Sequence, residues 1–266
     1  MYLKHWGLAE KPFENTPDPK FLYHSAQHEE GLSRLLYVVR EEKGAGLLTG
    51  VYGCGKTLLS RSLARELESD VYRVAFVTNP RLDATEMLRM ILHLLGAGAP
   101  PDRKSDVLRA LEENFLANIR EGRKNVVVID EAHAIEDPSI FEEIRLLLNF
   151  QTESRFLLTL LLLGQPELKP KIETSKQLNQ RISMRFHLEG LNEGETASYV
   201  HHRLLIAGAK RPVFEEPALT LLYLRSGGIP RRINQICDMC LLTGMARRAE
   251  TVNDAVLKES IESLEG

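Results

Sequence analysis

The chain reads as an α/β protein: a five-stranded parallel sheet with flanking helices, followed by an all-α segment. Three observations carry this reading. Short apolar runs alternate with stretches of helical period as far as Leu188, the pattern of βαβ units. A glycine-rich turn, Gly50-Val51-Tyr52-Gly53-Cys54-Gly55-Lys56-Thr57, joins the first apolar run to the helix that follows. Past Leu191 the strand-like runs stop, and only segments of helical period remain. The expected domains are therefore residues 1–190 and 191–266.

The lead-in is dense in turns and aromatics: Trp6, Pro12-Phe13, Thr16-Pro17-Asp18-Pro19, Phe21-Leu22-Tyr23. Disordered tails lack such aromatics, so an ordered segment is expected. Residues 28–42 predict a helix with Leu32, Leu35, Leu36 and Val39 on one face. Gly46-Leu47-Leu48-Thr49 is the first strand, and 58–67 the helix after the turn. A second strand covers 72–77 and a helix 84–95, closed near Gly96 and Gly98. Pro100-Pro101 marks the loop to Lys104. Residues 105–121 are helical, with Ser105 as N-cap. Val126-Val127-Val128-Ile129 is branched and apolar throughout, which suits a strand buried on both faces. Residues 139–150 predict a helix, and 156–163 a continuous apolar strand closed by Gly164-Gln165-Pro166. A helix over 167–180, broken near Pro170, leads to a short fifth strand at 186–188. Helices then follow over 193–206, 216–226, 231–248 and 253–264, punctuated by Gly208, Pro212, Gly227-Gly228 and Pro230.

Composition excludes several classes. A chain of 266 residues buries a core without staples. It is 43% hydrophobic and 27% charged, with net charge −3, an ordinary globular balance that does not call for nucleic acid. The longest apolar run, 156–163, is too short to span a bilayer. No signal-like apolar run follows Lys4, His5, Glu10 and Lys11. A cytoplasmic protein without direct membrane insertion is expected. Of the three cysteines, Cys237 and Cys240 form one C-x-x-C at helical spacing, which reads as core packing. Cys54 stands before a helix N-terminus, where a lowered pKa and sensitivity to oxidation are expected.

The glycine-rich turn matches G-x-x-x-x-G-K-[ST]. Gly50, Gly53 and Gly55 allow backbone angles that let successive N–H groups face one phosphate chain. The amides around Cys54 and Leu58 and the helix N-terminus add to that cradle. Lys56 supplies counter-charge to the β- and γ-phosphates, and Thr57 a hydroxyl for Mg²⁺. Asp130 and Glu131 follow the third strand, where open α/β sheets bind ligands. Asp130 suits Mg²⁺, and Glu131 suits a general base for water. The chemistry implied is binding and hydrolysis of ATP with Mg²⁺. Asp130-Glu131-Ala132-His133 also spells a helicase label, but the other helicase motifs are not visible, and His133 reads as a helix-start or loop residue.

This arrangement resembles the AAA+ ATPases, with their αβα P-loop core and helical lid. Within them it is similar to the ExeA (GspA) type of general secretion pathway ATPase. The narrower resemblance rests on the lead-in, Leu163-Gly164-Gln165-Pro166-Glu167-Leu168, Gln180-Arg181-Ile182, His202-Arg203-Leu204 through Gly208, and Gly227-Gly228-Ile229-Pro230-Arg231-Arg232-Ile233-Asn234. Secretion ATPases of this type also carry a transmembrane helix and a periplasmic part; the resemblance here covers the ATPase module. It implies three further roles. Gln165 senses the γ-phosphate, or is a turn glutamine. Arg231, or the adjacent Arg232, is the lid arginine that contacts the nucleotide. Arg181, or Arg185, is the arginine that reaches a neighbouring subunit's site. The resemblance implies a homo-oligomer assembled with nucleotide, working as motor or switch with a membrane-protein or secretion partner. The alternative is a DNA-acting ATPase of the Mu B and TniB transposition type.

Overall fold

The computed structural model describes residues 1–265 apart from 17, 22, 68, 69 and 154. Pro17 and Leu22 of the lead-in lie outside the described residues. In chain order the first elements are α1 (Leu3–Trp6), α2 (Ala26–Arg40), β1 (Ala45–Gly50), α3 (Lys56–Glu66), β2 (Tyr72–Val77), α4 (Ala84–Leu94) and α5 (Lys104–Arg120). Then come β3 (Lys124–Ile129), α6 (Pro138–Leu147), β4 (Leu158–Gly164), α7 (Leu168–Thr174), α8 (Lys176–Arg181) and β5 (Ile182–Leu188). The chain closes with α9 (Glu193–Ile206), α10 (Glu216–Ser226), α11 (Pro230–Ala246) and α12 (Asp254–Glu265). Two compact units form: Glu29–Tyr52 with Leu59–Leu188, and Met1–His28 with Gly53–Leu58 and Glu189–Gly266.

The first unit holds the sheet. Every pairing is parallel, in the order β2-β3-β4-β1-β5. That order explains the burial. Strands β3, β4 and β1 are central and almost wholly buried, whereas β2 and β5 at the edges are only partly so. Central parallel strands are covered on both faces, hence their unbroken apolar runs. Thr49 pairs with Gly164 and Ile129 with Leu162, so β1, β3 and β4 end along one edge of the sheet.

Three expectations shift. β5 starts at Ile182 rather than 186, because an edge strand tolerates the polar alternation of Ser183, Arg185 and His187. The helical stretch after Gln165 breaks at Ser175 and not at Pro170, which sits in the first turn of α7, where a missing N–H costs no helical bond. Ser105 lies inside the first turn of α5; the N-cap is Arg103, without a side-chain cap bond.

The second unit is helical, and the lead-in belongs to its core. Tyr2, Trp6, Leu8 and Phe13 pack with Leu204, Ile233, Ile236 and Leu241. Trp6 Nε1 donates to Leu241 O at 2.8 Å. Arg203, 5% exposed, is the fastener. It donates to Pro12 O at 2.5 Å, Glu14 O at 3.0 Å and Tyr199 Oη at 2.7 Å. A buried guanidinium is tolerable only with such partners. An expected domain of residues 1–190 thus differs from this grouping at 1–28, 53–58 and 189–190. Cys237 and Cys240 are fully buried on α11, and burial pushes the Cys240 thiol up to about 12. They are core, as the spacing suggests.

Gly227 and Gly228, at φ 61° and 70°, end α10. Leu191 N donates to Gly228 O at 2.8 Å, and a Cβ on Gly228 would fall 1.8 Å from Leu191 O. Gly227 has nothing within 4 Å of that position. Gly228→Ala should therefore lower stability by about 3 kcal/mol or more, and Gly227→Ala by only about 1 kcal/mol, the positive-φ term. Urea midpoints check this; equal midpoints for the two variants would contradict the contact.

Candidate nucleotide-binding site

In the sheet unit, β3 delivers a carboxylate pair. Asp130 is 3% exposed, and its amide donates to Val77 O at 2.9 Å, continuing the β2–β3 ladder. Its Oδ1 accepts from Glu131 N at 2.9 Å. Glu131 holds φ 53°, in the left-handed region, which costs a residue with a Cβ about 1–2 kcal/mol. The following 3₁₀ turn, Ala132–Ala134, fixes that strain. Ala134 N donates to Glu131 O at 2.8 Å, and Lys171 Nζ donates to His133 O at 2.6 Å and Ile135 O at 2.7 Å. Gln165, just past β4, donates its backbone N–H to His133 Nδ1 at 3.3 Å. His133 Nε2 lies 3.5 Å from Glu131 Oε2. Asp130, Glu131 and Gln165 are thus brought to one edge of the sheet. Gly50, the last residue of β1, ends at that same edge.

The two candidate trans-acting arginines lie elsewhere. Ile182 pairs with Ala45 at the start of β1, so Arg181, at the end of α8, is at the opposite end of the sheet from Asp130. It donates to Leu148 O and Asn149 Oδ1, both at 2.7 Å. Arg185 donates to Asn179 Oδ1 at 2.6 Å and Ile182 O at 3.2 Å.

In the helical unit, Gly53–Leu58 is gripped from two sides. Gly53 and Gly55 have φ 85° and 107°. A Cβ on Gly53 would fall 2.7 Å from Arg231 Cβ, and one on Gly55 2.7 Å from His28 Nε2. Gly53 O accepts from Arg231 N at 3.2 Å, and Cys54 O from His28 Nε2 at 3.0 Å. The other ring nitrogen, Nδ1, accepts from Ser25 Oγ at 2.7 Å. Burial lowers the His28 pKa, which keeps the ring in the neutral Nε2–H form that these bonds need. His28 was not legible as part of this site, because a histidine at a helix start carries no spacing signal. Lys56 opens α3 and is only 5% exposed, with Thr57 and Leu58 next in the first helical turn. Its Nζ is 3.9 Å from Cys54 Sγ. Burial of Cys54 raises its thiol pKa and outweighs the pull of Lys56, so the expectation of a lowered, oxidation-prone thiol is corrected. Arg231 backs onto the loop at the start of α11, whereas Arg232 turns away to pair with Glu265 at 2.7 Å. Beside Gly55 and Leu58, the residues Phe21, Tyr23, Tyr199 and Pro230 line a small, mainly apolar recess.

Residues 39–172, half of the chain, match the family described as the AAA domain. The chain is 38% identical over 255 residues to general secretion pathway protein A of Aeromonas hydrophila, covering 95% of this chain and 46% of that protein. It therefore spans about half the length of that relative. Among solved structures, the ORC2 protein of Aeropyrum pernix superposes with TM-score 0.69 at 17% identity, over 95% of this chain and 71% of that one. The RuvB Holliday junction branch migration motor of Thermotoga maritima gives 0.61 at 18%, over 91% and 70%. At such identities the likeness concerns the fold, which is the parallel sheet with helical C-terminal region described above. No helix among the described residues is long and apolar enough to cross a membrane. With the family match spanning half of its residues, the chain belongs to the AAA-domain family, and general secretion pathway protein A is its relative along nearly all of its length.

Proposed function

We propose that this chain is an ATPase module of the general secretion type, hydrolysing ATP to ADP and phosphate within a nucleotide-assembled homo-oligomer. The observation that carries the reading is the glycine loop. Two left-handed glycines leave no room for side chains, and the buried Lys56 opens the helix beyond them. That is a backbone cradle for an anion, with a fixed cation. The hard oxygens of Asp130 and Thr57 suit Mg²⁺, which when bound offsets charge on the β- and γ-phosphates. Glu131 accepts the proton of the attacking water, and Gln165 orients that water. Lys56 and Arg231 hold the phosphates, while the amides of Gly50, Gly53, Cys54, Gly55 and Leu58 line the cradle. Arg181, with Arg185 as alternative, completes a neighbouring subunit's site, a contribution worth roughly 10³–10⁵ in rate for such arginines. A membrane-associated secretion component fits as partner, by kinship to the Aeromonas protein. The DNA-acting alternative of the Mu B and TniB type gains nothing from the solved structures, whose likeness at 17–18% identity concerns the fold alone.

Lys56→Ala should abolish hydrolysis and weaken ATP binding at least tenfold, as the phosphate charge loses its partner; turnover assays and calorimetry check both. Glu131→Gln should bind Mg²⁺-ATP with parental affinity yet turn over about 10²–10⁴-fold more slowly, because an amide takes up no proton. Native turnover by this variant would mean another base.

Arg181→Ala should bind ATP normally and hydrolyse it slowly. Mixing it with Lys56→Ala should restore part of the activity, since a mixed interface joins an intact loop to an intact arginine. Specific activity should also climb with protein concentration. Flat activity across that range, with no rescue on mixing, would mean a site complete within one chain.

A further inference from the structure

We propose that His133 is a positioning residue that aims the Glu131 carboxylate and ties it mechanically to the end of β4; this rests on the ATPase reading above. The ring makes one contact with each of its nitrogens. Nδ1 accepts from the Gln165 amide at 3.3 Å, which in a neutral ring leaves the proton on Nε2. Nε2 then faces Glu131 Oε2 at 3.5 Å. The Glu131 side chain is 39% exposed and that of His133 17%, so the imidazole is the more anchored of the two.

The backbone beneath them is over-determined. Glu131 is held left-handed by its bond to Asp130 Oδ1 and by the 3₁₀ turn. Lys171, reaching back from α7, clamps the carbonyls of His133 and Ile135. A Cβ on Gly164 would lie 3.1 Å from His133 N and 2.9 Å from Leu168 Cδ2, so the end of β4 packs directly on this turn. A shift of the Gln165 backbone is therefore passed through the ring to the carboxylate. The γ-phosphate-sensing strand and the general base respond together without touching one another. The importance of such aim is general: a misplacement of about 1 Å in a reacting group costs about 10²-fold in rate.

Three substitutions separate the two ring nitrogens. Asparagine places an acceptor near the Nδ1 position but does not reach Glu131. Glutamine places a donor near the Nε2 position. Alanine provides neither. His133→Gln should keep kcat within about threefold of the parent, whereas His133→Asn and His133→Ala should lose about 10–100-fold with KM for ATP unchanged. In the nucleotide-free protein, amide exchange at Gln165 should stay slow in His133→Asn and quicken in His133→Ala, a readout that needs no turnover. Parental kcat in all three variants, or an equal loss in the glutamine and alanine variants, would overturn the positioning role. Undiminished Gln165 protection in His133→Ala would overturn the link to β4. A parent protein that binds ATP and never hydrolyses it would count against the hydrolase reading, and the exchange measurement would still decide the link.

Discussion

A phosphate loop must aim its amides one way, and each carbonyl it turns the other way needs a donor of its own. Here those donors are supplied from far along the chain. The amide of Arg231 bonds Gly53 O, and the neutral ring of His28 bonds Cys54 O. The loop has no side chains with which to brace itself at Gly53 and Gly55, and its neighbours stand so close that none could be added. Its shape is therefore imposed by residues before the sheet and after it. This is why Gly53–Leu58 clusters with the lead-in and the C-terminal helices, although it directly follows a central strand. The Cys54 carbonyl, which only accepts, sets the His28 tautomer, and Ser25, donating to the other ring nitrogen, is part of the same device.

The second constraint is on the carboxylates. Asp130 continues the ladder of a strand buried on both faces, so its position is as fixed as the sheet. Glu131, one residue on, must leave that ladder at once, and does so through a left-handed bend that only a crowded turn can sustain. Glu42 and Arg248 share this backbone region just past the ends of α2 and α11, but at Glu131 it falls directly beside a buried carboxylate.

What the sequence made legible follows from which interactions are local. The glycine turn and the Asp130-Glu131 pair are contiguous, and their chemistry is written in adjacent residues. The strands β3 and β4 are covered on both faces, and so read as continuous apolar runs. β5 lies at an edge, where polar residues alternate with apolar ones, and only its last three residues stand out. The bracing histidines were hidden for another reason. His28 meets Cys54 across 26 positions, and Gln165 meets His133 across 32, distances over which no periodicity operates. The state of the Cys54 thiol is not legible in the same way, because a helix N-terminus is visible in a sequence and the degree of burial is not.

The lead-in's place in the helical core has a consequence for how the chain is made. Trp6 and Phe13 find their cover, and Pro12 and Glu14 their donor, on helices that begin only at Glu193. A ribosome adds about 5–20 residues per second, so the lead-in waits on the order of ten seconds or more for its partners to emerge. The sheet unit, whose strands are complete at Leu188, has all its material in hand earlier. Synthesis thus imposes a sequence on assembly. All five strands are available before α9 has been made, whereas the grip on the loop at Gly53 waits for Arg231 at the start of α11.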